Sequence, residues 1–338
     1  MRPLLNFWWI HWHIYQSIGS HFIFNRVAQV RGILPDAQSW YREAVHAIAA
    51  THRHVFSKGE LQKLLDTLKE AGAVPTRISL RRFMDVLESE VGLREHVISA
   101  AHVAGASDPP YRPFRRHLLG TASPEEVSLS LRPRSYLSHA SALRAHGIPT
   151  APELPVFANQ EQRPKPTPNG DLTQAAINRA FQNGPRISQY VFEYQGTQLA
   201  LLAGKNTGNY RVTEVRHPEH VAPLLVADLP RTLVDIAVRP AYAGGPLHVL
   251  HAYRHVVDRI GGERLVAELC ETLDALRHVY PYHQALGYYL MRAEVNAKHL
   301  IPLRNRGAAY DFYLCNRIAD PVYIPSWSIY VPRDLEIA

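Results

Sequence analysis

The sequence predicts an α+β fold: a small N-terminal winged helix-turn-helix followed by a larger mixed α+β domain. Three observations lead there. Residues 57–87 carry two amphipathic helical patterns around a Gly/Pro turn. Downstream, the candidate strands and helices are grouped rather than strictly alternating. A chain of 338 residues with 46% apolar content is long enough for two cored domains.

Residues 1–34 stand apart. Trp8, Trp9, Trp12 and Tyr15 sit in an aromatic run that Asn6, His11, His13, Gln16 and Ser20 interrupt. A spanning helix needs about 20 mostly apolar residues, so these polar positions argue against one. No small-residue cleavage site precedes Arg26, which argues against a signal peptide. The preferred reading is a poorly structured extension from a start codon set too far upstream. The alternative is an interfacial membrane anchor over residues 1–24.

Residues 35–105 form the expected winged helix. Asp36 is the expected cap of a first helix reaching about Ala50, with Trp40, Ala44 and Ile48 on one side. A short extended piece at residues 54–57 leads to Ser57 as the next cap. Leu61, Leu64, Leu65 and Leu68 share one face of the second helix, and Leu80, Phe83, Met84 and Leu87 share one face of the third. Gly72 and Pro75 punctuate the turn between them. A strand over residues 93–98 supplies the wing, with a break from Gly105.

The chain carries a formal charge of +7 and a pI near 9.4, which favours a polyanionic partner. Residues 57–100 nevertheless hold seven Lys/Arg and seven Asp/Glu. DNA binding by this unit therefore rests on the placement of charge. Arg81 and Arg82 fall away from the apolar face of the third helix and are the candidate groove-facing residues. Thr76, Arg77 and Ser79 lie at that helix's start. Ser57 and Lys58 are candidate phosphate contacts at the start of the preceding one. An ordinary helical hairpin with a solvated charged face has the same pattern.

Residues 106–134 read as a Pro/Arg-rich linker, because eleven of the 25 prolines fall between Pro109 and Pro168. Arg112, Arg115, Arg116, Arg132 and Arg134 make the stretch basic. It is either a solvated linker or a second phosphate-contacting surface.

The second domain is expected over residues 135–338. A short helix covers 138–146, closed by Gly147. Strands are expected at 187–194, 198–203 and 210–215, with glycine turns between them. Helices follow at 229–238, 245–260, 263–279 and 282–293, and extended pieces at 310–314 and 327–331.

Two stretches of this domain carry a family resemblance. Ser135-Tyr136-Leu137-Ser138 with Ser141-Ala142-Leu143 and His146-Gly147-Ile148 is similar to an element of AbiEi-family antitoxins. Arg231-Thr232-Leu233-Val234-Asp235, followed by Arg239-Pro240 and Gly244-Gly245, resembles a second and more specific block. Trp327-Ser328-Ile329-Tyr330-Val331 resembles the family's tail. Pro230 departs from the pattern, which is usually acidic there. The resemblance implies the antitoxin of a type IV toxin–antitoxin pair. Its winged helix would repress its own operon by binding promoter DNA. Its C-terminal domain would counter a nucleotidyltransferase-like toxin, with Arg231, Thr232 and Asp235 as candidate neutralisation residues. Arg231 and Asp235 are also spaced i, i+4, so a plain helix-surface pair accounts for them equally well.

Other chemistry finds little purchase. Cys270 and Cys315 are far apart and form no CxxC motif, which fits a reducing cytoplasm. His248, His251 and His255 share a helix face without an HExxH motif or a nearby carboxylate, so no metal is assigned. Glu193, Lys205 and Asp228 lack nuclease spacing, and Gly204-Lys205 lacks the rest of a P-loop. The chain is therefore expected not to be an enzyme, with no catalytic residue and no cofactor. A ligand-sensing regulator without a toxin partner is the alternative, and a defence nuclease comes third.

Overall fold

The computed structural model describes residues 39–101, 111–165, 171–216, 220 and 222–337. The aromatic extension and Asp36 lie outside the described residues. So does the expected break at Gly105. The fold is α+β, with four hydrophobic clusters among the described residues.

The first core is helical. Helix α1 (Ser39–Ala50) leads through β1 (Val55–Phe56) into α2 (Lys58–Glu70) and α3 (Leu80–Val91). Ser57 and Glu60 close a capping box at the start of α2, satisfying two backbone donors that the helix cannot. Ser79 caps α3, accepting from the Arg82 N–H at 3.2 Å. Gly92 ends α3 in the left-handed region at φ 74°, where a Cβ would be strained. Trp40, Ala44 and Ile48 of α1 pack on Leu61, Leu65, Phe83 and Leu87, the apolar faces that the periodicity predicts.

The wing follows as β2 (Leu93–Ala100) and β3 (Phe114–Leu119), paired antiparallel from Leu93↔Leu119 to Ile98↔Phe114. β1 adds to the outer side of β3. Three helices followed by this antiparallel pair are consistent with the expected winged helix.

The stretch 106–134, expected as a linker, instead holds β3 and helix α4 (Pro124–Leu131). The reason is where its prolines sit. Pro113 precedes β3, and Pro124 opens α4, where the missing N–H costs nothing. Ser123 and Glu126 form a second capping box there. The wing also does not end at a domain boundary. The last residues of β2 pair with β6 (Val191–Tyr194), Ser99 against Glu193 and Ala100 against Phe192. Among the described residues, one sheet of nine strands therefore runs through both units.

That sheet continues through β7 (Thr197–Gly204), β5 (Val156–Glu161), β4 (Tyr136–Leu137), β9 (Leu224–Ala227) and β8 (Val212–Val215). The β5/β7 and β4/β9 pairs are parallel and the others antiparallel. The expected strand at 187–194 starts only at Val191, because Ser188 is spent bonding the Tyr242 hydroxyl and the Leu201 carbonyl. β5 has no counterpart among the expected strands.

Helices α4 and α5 (His139–Ala145) lie on this sheet, whereas α7 (Leu229–Val238), α8 (Pro246–Ile260), α9 (Gly262–Leu276) and α10 (Tyr282–Arg292) pack on one another around a core of their own, and α6 (Gln174–Gln182) falls between β5 and β6 in sequence. The tail forms a small sheet of β10 (Phe312–Tyr313), β11 (Pro321–Ile324) and β12 (Ile329–Pro332). Gln284 of α10 pins it, its Nε2 lying 2.9 Å from the carbonyls of Tyr310, Trp327 and Ser328.

Gly287 lies on α10 beneath Trp327. A Cβ at Gly287 would overlap the indole ring. Gly287→Ala must push the ring aside and is expected to cost about 1–3 kcal/mol of stability, read from the denaturant midpoint. An unchanged midpoint would mean that the tail packs loosely on α10.

Candidate nucleic-acid interface and the buried Arg231 cluster

The candidate DNA contacts divide into capping residues and free cations. Ser57 and Ser79 spend their hydroxyl oxygens as acceptors for Glu60 and Arg82 backbone N–H groups. Thr76 and Arg77 are exposed in the turn before α3, and Lys58 is exposed at the first position of α2.

Arg81 and Arg82 are both exposed, but they differ in engagement. Arg82 Nη2 donates to the Tyr41 hydroxyl of α1 at 2.5 Å, and its guanidinium lies 5.8 Å from that ring. It is seated on α1. Arg81 makes no ion pair among the described residues. It lines a cleft between α3 and the wing, shared with Lys58 and Gln62 of α2. Asp85, Glu88 and Glu95 line the same cleft. Arg94 and Arg115 neutralise two of these acids, at 2.6 Å from Glu88 and 2.8 Å from Glu95.

The five basic residues of the expected linker also part company. Arg115 belongs to that wing pair, and Arg112 is exposed. Arg116 is buried and donates to the Ser130 and Leu131 carbonyls, capping the C-terminus of α4. Arg132 and Arg134 reach a second cleft, between the start of α2 and the larger domain.

The family-like block sits in the interior. Arg231 is 5% exposed and Thr232 is fully buried. Arg231 Nε donates to both carboxylate oxygens of Asp235 at 2.9 and 3.0 Å. Its Nη1 donates to Thr207 Oγ1 and the Tyr210 carbonyl, and its Nη2 to the Tyr136 hydroxyl at 3.2 Å. Asn159 Nδ2 donates to that same hydroxyl at 2.7 Å. Glu161 closes the cluster, accepting from the Thr207 hydroxyl and from the Thr207 and Asn209 N–H groups. Thr232 Oγ1 donates to the Ala227 carbonyl.

Burial pulls the Arg231 pKa down, but Asp235, Tyr136 and Glu161 outweigh it and hold the guanidinium charged. Burial raises the Asp235 carboxyl, with Arg231 opposing. The expected i, i+4 pair is therefore present, but inside the fold rather than on the helix surface. Direct toxin contact through Arg231 or Thr232 needs accessible side chains, and the fold leaves them none. The family-like block instead holds α7 against the ends of β4 and β5.

The other chemical candidates are dispersed. Asp228 caps α7 and pairs with Arg211 at 2.8 Å. Lys205 Nζ donates to the Leu276 and Arg277 carbonyls, capping α9, and Glu193 is exposed at the β2/β6 junction. His248 Nδ1 lies 3.0 Å from the Gly244 carbonyl and His255 Nδ1 2.9 Å from the His251 carbonyl, so each is turned back on its own helix. Among the described residues, no three His, Cys, Asp or Glu side chains are placed to hold a metal ion. No helix among them is long and apolar enough to cross a membrane.

Sequence reasoning missed Gln62 and Lys63, which face opposite clefts from one helix. Their signal was present, since both lie off the Leu61/Leu65 face of α2.

The chain matches no family model, and no curated protein matches it. Among solved structures, it is similar to the RV2827C protein from Mycobacterium tuberculosis at 16% identity, covering 88% of this chain and 92% of that one, with a TM-score of 0.45.

Proposed function

We propose that this chain is a DNA-binding regulator of the AbiEi antitoxin type. It would bind promoter DNA through α3 and the start of α2, and counter a nucleotidyltransferase-like toxin through the larger domain. The observation that carries the DNA-binding part is Arg81 on the exposed side of α3, without an ion pair among the described residues, with Lys58 lining the same cleft. A groove-entering helix needs a cation free to reach a base edge or a phosphate. Arg82 is the weaker candidate, because it must first leave Tyr41.

Arg81→Ala is expected to weaken binding to the chain's own upstream region by about 1–3 kcal/mol, roughly five- to 150-fold. Fluorescence anisotropy at fixed salt reads this directly. An affinity unchanged in Arg81→Ala and in Arg81→Ala with Lys58→Ala would remove α3 from the interface.

The antitoxin part rests on the sequence resemblance. Its test is co-expression of the full chain with a nucleotidyltransferase encoded beside it. Restored growth supports the reading, and continued arrest with abundant folded protein refutes it. Arg81→Ala separates the two roles, since it should lose operator binding and keep rescue. The proposed setting is the cytoplasm, with no enzymatic step and no cofactor.

A further inference from the structure

The second cleft extends the DNA-binding reading, and a role for it rests on that reading. The start of α2 forms one wall of this cleft, and the segment joining α4 to β4 forms the other. Its volume is about 620 Å³, a size that would admit a small molecule. Its lining has no Phe, Tyr or Trp to hold one. It is instead cationic, with Arg53, Lys63, Arg116, Arg132 and Arg134 set against Glu60 and Glu126.

The two acids are already engaged. Glu60 accepts from the Ser57 N–H at 2.7 Å and pairs with Arg53 at 2.8 Å. Glu126 accepts from the Ser123 N–H at 2.9 Å. Arg53 and Arg116 are likewise committed, the first to Glu60 and the second to carbonyls. Three cations remain. Lys63 and Arg134 are exposed, with no ion pair among the described residues, and Arg132 is laid over the Tyr190 ring at 5.1 Å.

One helix borders both clefts. Lys58 and Gln62 face the cleft that holds Arg81, while Gly59 and Lys63 face this one. A cationic path thus runs from α3 across the first two turns of α2 to the larger domain. The shared sheet ties the winged helix to the larger domain through the Ser99/Glu193 and Ala100/Phe192 pairs, so the path is preformed.

We propose that Lys63, Arg132 and Arg134 hold the phosphodiester backbone of the same duplex that α3 reads, making the larger domain part of the DNA-binding surface. These cations would grip the sugar–phosphate strand flanking the groove occupied by α3. They add affinity and orientation without reading sequence.

The test is the salt dependence of binding by the full chain, using a duplex from its own upstream region. The variants are Lys63→Gln with Arg134→Asn, and separately Arg132→Gln. Asn suits position 134, which has φ 56°. Each lost phosphate contact flattens the plot of log K against log salt by about 0.9. The double variant should therefore flatten it by roughly 2, with the ranking of cognate over scrambled duplex unchanged. Unfolding midpoints equal to wild type show that the effect is not misfolding.

An unchanged slope in both variants, with wild type binding and Arg81→Ala weakened, overturns the larger domain's role and leaves the winged-helix reading standing. A changed sequence preference at constant slope overturns it too. Wild type that binds no duplex at any salt overturns both.

Discussion

Replacing Arg231 by alanine is expected to lower the stability of the whole chain by about 3–5 kcal/mol, the range found when one member of a buried ion pair is removed. Asp235 would be left inside the fold with its main partner gone, and the Tyr136 hydroxyl and Tyr210 carbonyl would each lose a donor. For a domain whose total stability is of the order of 5–15 kcal/mol, that is enough to deplete the folded form. Arg231→Lys should fare little better, because an ammonium cannot reach Asp235, Thr207, Tyr210 and Tyr136 from one plane. Arg231→Met with Asp235→Leu removes both charges and should recover much of the loss. Guanidinium unfolding of the four proteins decides it. A loss below about 1 kcal/mol in Arg231→Ala would falsify the view that this cluster holds α7 to the sheet.

The same cluster shows what the sequence makes legible. The i, i+4 spacing of Arg231 and Asp235 announces a pair, and spacing alone cannot say which way the pair faces. That depends on Tyr136, Asn159, Glu161 and Thr207, all from elements far away in sequence. Helices α2 and α3 are readable because each signal is local: a capping serine, a leucine period and a terminal glycine. The partner strand of the wing is not. Phe114–Leu119 is flanked by prolines and includes two arginines, so its composition resembles a linker, and only its pairing with β2 makes it a strand. Helix α4 does carry a local signal in Ser123-Pro124-Glu125-Glu126, which the density of prolines around it obscures. Helical periodicity puts Arg82 on the outer face of α3, where it lies, yet its engagement by Tyr41 comes from another helix. The larger domain's part in the cationic path is equally hidden, since Lys63 and Arg134 are 71 positions apart.

The stability of the chain should fall as the pH drops from about 6.5 towards 4.5, where most ordinary carboxylates are still ionised. His139 is buried against Phe157 and Tyr242, with Ser138 Oγ 2.9 Å from its Nδ1. Burial, with Arg239 and Arg231 adding to it, pushes its pKa down to about 3. His278 is pushed to about 4 by burial and by Lys205. The sign follows from linkage. Above pH 6.5 both rings are neutral whether the chain is folded or not, so neither shift affects stability. Below 6.5 the unfolded chain takes up protons that the folded chain refuses, and each such site costs about 1.4 kcal/mol per pH unit. For His139 the cost reaches roughly 2–3 kcal/mol by pH 4.5. His117, His146 and His283 are displaced in the same direction by burial and steepen the fall. Asp235 works against it, because a raised carboxyl pKa gains stability as the pH falls. The variant that isolates one ring is His139→Asn, since asparagine tolerates the φ of 52° there and carries no titrating proton. Its urea midpoint should fall less steeply than that of wild type between pH 6.5 and 4.5, by the equivalent of about one proton. Parallel curves for the two proteins would mean that His139 titrates normally and is not sealed beneath Tyr242.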